Sequence, residues 1–124
     1  MSTKQNLEIE GTSSLPAVSF STDGQLKMEG KIIPDNALSF FEILLNWISD
    51  LNASKVVFDI NIEYMNTSAS MQMFKLLRQL EENCLIEELC VNWHYEEDDE
   101  DHYETGLLFE EKLYRTKFVY CSFV

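Results

Sequence analysis

Basic residues are scarce: 9 Lys and Arg stand against 22 Asp and Glu, and residues 81–111 hold 13 of the acids with no Lys or Arg. The other 9 acids match the 9 bases, so the whole net charge of −13 lies in one segment. Binding to nucleic acid by phosphate neutralisation needs a basic face, and none is visible, so that class is set aside. An anionic membrane surface is disfavoured for the same reason. Long apolar runs are missing too. No eighteen apolar residues run together, and Met1 to Glu10 is polar and acidic, so neither a membrane span nor an export signal is indicated.

Cysteine is sparse and odd in number. Cys84, Cys90 and Cys121 sit in apolar surroundings without a Cys-x-x-Cys pair, which disfavours a disulfide framework or a zinc site and fits a reducing cytoplasm. Also absent are a Gly-rich phosphate loop, a Gly-x-Ser-x-Gly elbow and a His-Glu-x-x-His helix. Cys84, Cys90, His94 and His102 lack metal-ligand spacing, and the six consecutive acids from Glu96 to Asp101 lack the alternation and turn glycine of an EF-hand loop. No catalytic residue, metal site or cofactor is assigned.

At 124 residues the chain is read as one domain, residues 1–124, with one hydrophobic core. Leu7 and Ile9 alternate with acids as a short first strand. Val18 and Phe20, then Leu26 and Met28, form a hairpin around Asp23-Gly24, and Gly30 and Pro34 close this β section. Asp35 or Asn36 is placed to cap a helix over about Ala37 to Asn52, with Ala37, Phe40, Phe41, Leu44, Ile48 and Leu51 as its core stripe. Leu38, Ile43, Leu45 and Trp47 fall outside the stripe, so this helix is either deeply packed or turned in part toward a partner.

The next strand, Val56 to Ile62, alternates Val56, Phe58, Ile60 and Ile62 with Val57, Asp59, Asn61 and Glu63. A strand covered on both faces reads as a continuous apolar run, so the alternation predicts helices on one side of the sheet. Leu89, Val91, Trp93 and Tyr95 repeat the pattern against Cys90, Asn92 and His94. Between these strands Met73, Leu76, Leu77, Leu80 and Cys84 mark a crossover helix, which implies parallel strands. A third helix is predicted over about Asp98 to Leu113, its acidic start suiting the helix dipole, and Phe118 to Val124 closes the sheet. The expected fold is one α/β domain with a mixed sheet of about five or six strands and helices mainly on one face.

The strand that ends at Ile62 runs through Glu63-Tyr64-Met65 into Asn66-Thr67-Ser68-Ala69-Ser70, where a helix begins. Most such runs only start a helix, since Asn, Thr and Ser are favoured caps. Hydroxyls there also sit beside unpaired N–H groups and the positive end of the macrodipole, where phosphate is electrostatically welcome. No basic residue or histidine is near in sequence to activate them as nucleophiles, so they read more readily as substrates of a kinase than as catalysts.

Four stretches in order resemble the SiaC-type bacterial regulatory phosphoproteins, small relatives in fold of the STAS-domain anti-sigma factor antagonists. They are Ile9-Glu10-Gly11-Thr12, Pro34-Asp35-Asn36-Ala37, Glu63-Tyr64-Met65-Asn66-Thr67-Ser68, and Val91-Asn92-Trp93-His94-Tyr95 with the acids through Asp101. The chain departs from that pattern at Met65, where an aromatic residue is usual, at Ala69, where serine is, and at His94, commonly tyrosine. The resemblance implies a STAS-like fold and phosphorylation of Thr67 by a cognate serine/threonine kinase, reversed by a metal-dependent serine/threonine phosphatase. It further implies that the unphosphorylated form binds and activates a diguanylate cyclase, in cyclic-di-GMP control of aggregation or biofilm formation. Ser68 and Ser70 are secondary phosphosite candidates, Tyr64 and Asn66 flank the switch, and Asp98, Asp99, Glu100 and Asp101 are candidates for partner binding. The rival reading is a constitutive acidic adaptor, or an anti-sigma factor antagonist-like protein without a cyclase partner.

Overall fold

The computed structural model describes residues 5–33 and 37–124. The elements run β1 (Leu7–Ile9), β2 (Ala17–Phe20), β3 (Gln25–Gly30), α1 (Ala37–Ile48), β4 (Lys55–Ile62), α2 (Thr67–Glu82), β5 (Glu88–Glu96), α3 (Glu100–Lys112) and β6 (Lys117–Phe123). The strands lie in chain order in one sheet, the first two pairings antiparallel and the last three parallel. From β3 onward every crossover advances one strand in the same direction, so a constant hand of connection stacks the helices on one face.

Asp23-Gly24 makes the β2–β3 turn as the sequence indicates. Gly24 has φ +102, and a Cβ there would collide with the Lys55 carbonyl oxygen, so only glycine fits. Registry then assembles the core in rows. Phe20 lies opposite Leu26, Leu26 beside Phe58, Phe58 beside Val91 and Val91 beside Phe118, all of them buried. A second row carries Val18, Met28, Ile60 and Trp93. Each such side chain contributes about 1.5–3 kcal/mol on burial. The opposite face of β4 and β5 carries half-buried Val57, Asp59, Asn61, Cys90, Asn92 and His94, and no described helix covers it.

Helix α1 is shorter than predicted. It ends at Ile48, and Leu51 reaches the core from the following turn, its N–H donating to the Ile48 carbonyl at 3.2 Å. Leu38 and Ile43 are exposed, while Leu45 and Trp47 pack at the core's edge, where the Trp47 indole N–H donates to the Gln5 carbonyl at 2.9 Å. Asp35 and Asn36, the expected caps, lie outside the described residues. Cys84 is a correction: α2 stops at Glu82, so Cys84 leaves the helical stripe and is exposed.

Sequence periodicity also missed what fixes the end of α2. Glu81 is buried, and its Oε1 accepts from the backbone N–H groups of Tyr114, Arg115 and Thr116 and from the Thr116 hydroxyl. Arg115 reciprocates by donating to the carbonyls of Glu81, Ile86 and Asn83 at 2.8, 2.8 and 3.0 Å. These bonds hold the start of β6 against the end of α2, which in turn fixes the groove between α2 and α3.

Candidate functional site

The end of β4 and the start of α2 put residues Tyr64 to Ser70 at one rim of the molecule. Asn66 is the N-cap: its backbone is extended, and its Oδ1 accepts from the Ala69 N–H at 2.8 Å. Because Asn66 caps the helix, the hydroxyl of Thr67, the first helical residue, is left exposed and makes no hydrogen bond among the described residues. Ser68 is exposed and Ser70 half-buried; Tyr64 is exposed, with its carbonyl accepting from the Ile32 N–H at 3.1 Å. Ala69, between the hydroxyls, is fully buried.

Thr67 and Ser70 stand at one end of a groove of about 580 Å³ between α2 and α3, floored by Met65, Met71, Phe74, Leu108 and Phe109. Met71 and Leu108 are exposed there. Lys112 lies at the other end, its Nζ 5.9 Å from the Phe74 ring centre. Unlike Ala69, Met65 lines this groove.

The acidic segment arrives beside Tyr64 and Met65. Asp99 caps α3, accepting from the His102 N–H at 3.0 Å, and so serves the fold as well as the surface, whereas Asp98, Glu100 and Asp101 are exposed. Asp99 and Asp101 share a cavity of about 250 Å³ with Glu63, Tyr64, Met65, His102 and Thr105, and Met65 and Thr105 also line the groove below Thr67. A phosphate on Thr67 would therefore lie near acids on one side, with Lys112 the one cation lining the groove among the described residues.

His102 closes this corner from beneath. It is buried and stacked on Trp93 with ring centres 4.8 Å apart, and the Trp93 indole N–H donates to the His102 carbonyl at 3.0 Å. Burial pushes its imidazole below the ordinary value of 6.5, with Asp99 opposing, and its Nε2 has no partner among the described residues. The ring is neutral packing. The other sulfur and imidazole groups are dispersed: Cys84 sits beyond α2, while Cys90 and His94 are on the uncovered sheet face. There His94 Nε2 is 3.1 Å from Asp59 Oδ1, which also accepts from Asn92 at 3.0 Å. Among the described residues no three His, Cys, Asp or Glu are grouped to hold a metal ion, and no helix is long and apolar enough to cross a membrane.

Fold and site together define an α/β protein that presents an unengaged threonine at a helix start, above an apolar groove and beside an acidic rim. The SiaC family regulatory phosphoprotein model matches residues 9–123, and the chain belongs to that family. An uncharacterized protein of Pseudomonas aeruginosa (strain UCBPP-PA14) is 30% identical over 111 residues, which span 86% of this chain and 88% of that protein. The backbone is similar to a chain in the crystal structure of the diguanylate cyclase SiaD in complex with its activator SiaC from Pseudomonas aeruginosa. That likeness has a TM-score of 0.82 and 27% identity, covering 94% of this chain and 99% of the other. It is also similar to apo-SiaC of Pseudomonas aeruginosa, with a TM-score of 0.71, 26% identity and coverage of 94% and 98%.

Proposed function

We propose that this chain is a non-enzymatic signalling switch that binds and activates a diguanylate cyclase when Thr67 is unmodified and releases it when Thr67 is phosphorylated. A cognate serine/threonine kinase adds the phosphate and a metal-dependent phosphatase removes it. Ser68 and Ser70 are secondary sites. The observation that carries this reading is the pairing of the exposed Thr67 hydroxyl with the apolar groove, in a chain whose family is one of regulatory phosphoproteins. The similarity to a SiaC described as an activator of SiaD supports a cyclase as the effector.

The mechanism follows from charge. Phosphate adds about −1.5 to −2 charges, while the helix start returns only about 0.3–1 kcal/mol per favourable charge. The fold therefore persists. A partner packed into the groove must then accommodate a hydrated anion beside Glu63, Asp99 and Asp101, and the complex weakens.

Intact-mass measurement on protein from its native cell, with site mapping, tests the modification: a phosphorylated fraction at Thr67 is expected, and none would favour the constitutive adaptor. Asp98, Asp99, Glu100 and Asp101 steer the encounter in this reading, so their amides should slow association with the cyclase and flatten its salt dependence. Unchanged rates at low salt would remove steering from the mechanism.

A further inference from the structure

The two edges of the sheet are treated differently. β1 is three residues long, carries Glu8 at its centre and is followed by Glu10, the usual means of blunting an edge. β6 is seven residues long, and from Phe118 to Phe123 it carries no charged side chain and no proline. Val119, Phe123 and Val124 are exposed. Long, uncharged, apolar edges are rare in proteins that stay single, because their free N–H and C=O groups template pairing.

The direction of the free groups can be read from the backbone. The Phe123 carbonyl accepts from the Glu97 N–H at 2.8 Å, so Phe123 faces β5 and, by alternation, so do Cys121 and Val119. The N–H and C=O groups of Phe118, Tyr120, Ser122 and Val124 then point outward, where no described strand pairs with them.

We propose that this edge pairs with the β6 edge of a second copy of the chain, antiparallel about a two-fold axis at Cys121. This register uses all four outward residues: Tyr120 exchanges hydrogen bonds with Ser122 of the second copy, and Phe118 with its Val124. Val119 falls opposite Phe123, apolar against apolar, and Cys121 falls opposite itself. The contact is isologous and closes at two chains.

Charge selects a second copy in this orientation. β6 begins at a basic end, Lys117, and finishes at Phe123, which pairs with Glu96 at the head of the acidic run to Asp101. Antiparallel pairing brings the basic end of each copy toward the acidic end of the other and keeps the two acidic segments apart. A parallel arrangement would bring the segments together. The surface is separate from the groove beside Thr67, so the inference stands whether or not the switch reading holds.

Sedimentation equilibrium of the full chain tests it. A dimer is expected in the micromolar range, weakening as salt rises. Ser122→Pro removes an outward N–H and no bond to β5, so it should weaken dimerisation roughly tenfold or more, since the two-fold removes the bond twice. Circular dichroism checks that the variant folds. Opposed residues in a non-hydrogen-bonded pair lie about 4.5 Å apart at Cα, inside the roughly 4.4–6.8 Å that a disulfide spans. Mild oxidation of the Cys84→Ser, Cys90→Ser chain should therefore give a Cys121-linked dimer. A monomer mass throughout that range, or a dimer that Cys121 cannot link, would overturn the proposal.

Discussion

At the start of α2 the Asn66 side chain accepts from the Ala69 N–H at 2.8 Å, and at the start of α3 the Asp99 side chain accepts from the His102 N–H at 3.0 Å. The capping geometry is the same, but the charge is not. The first turn of α3 holds Glu100 and Asp101, so negative charge permanently occupies the positive end of its dipole. The first turn of α2 holds no acid and presents neutral hydroxyls instead. One helix start is charged by its own sequence, and the other is neutral, which is where the proposed phosphate would sit. The two starts lie at the same rim, so a phosphate on the second would extend the acidic surface of the first.

Seating also separates the two helices, and disturbing it should have the largest effect on stability. α2 buries an aliphatic stripe of Met73, Leu76, Leu77 and Leu80, whereas α3 approaches the sheet through Gly106. A Cβ at Gly106 would meet the buried Trp93 ring at 2.8 Å. Gly106→Ala should therefore destabilise by about 1–3 kcal/mol from overpacking, reduced by the roughly 1 kcal/mol that alanine gains in a helix. Ser68→Ala on the exposed start of α2 should stay within about 0.5 kcal/mol. Urea titration of both variants distinguishes the two modes of docking; equal effects would erase the contrast.

Removing the caps comes next. Asp99→Ala loses a hydrogen bond and a charge and should cost about 1–2 kcal/mol, while Asn66→Ala loses the bond alone and should cost about 0.5–1 kcal/mol. Raising the salt concentration should narrow the gap, because only the Asp99 contribution includes a screened charge.

A smaller effect comes from pH. His102 is held below 6.5 by burial, so as pH falls through 6.5 the unfolded chain takes up a proton that the folded chain refuses. Stability is lost across that window, and the loss becomes constant below the depressed folded value. Thermal melts between pH 7 and pH 5 should show a shallower decline for His102→Phe, which keeps a ring against Trp93, than for the parent chain; parallel declines would remove His102 as the cause.

Much of the scaffold was legible in the residues. Alternation in β4 and β5 identified the buried face and placed the helices on the other face's opposite side, Asp23-Gly24 marked the hairpin, and the Asn66 to Ser70 run marked the start of α2. The features missed depend on contacts across long separations. Glu81 reads as one more surface acid, because its partners at Tyr114, Arg115 and Thr116 lie over thirty residues away. Gly106 gives no signal until Trp93 is packed against it. The candidate site divides similarly: Asn66, Thr67 and Ser68 are contiguous and read together as a helix start, whereas the groove needs Phe74 and Leu108 from separate helices.

The central claim is that Thr67 occupies a helix start left uncharged so that phosphate can change binding without changing the fold. The most direct measurement titrates a purified diguanylate cyclase with unmodified protein, protein phosphorylated at Thr67, Thr67→Ala and Thr67→Glu, with circular dichroism as the folding control. Unmodified protein and Thr67→Ala should bind alike, and the phosphorylated and Thr67→Glu forms should bind at least about tenfold more weakly, a difference of about 1.4 kcal/mol, while remaining folded. Equal affinity for phosphorylated and unmodified protein would contradict the claim.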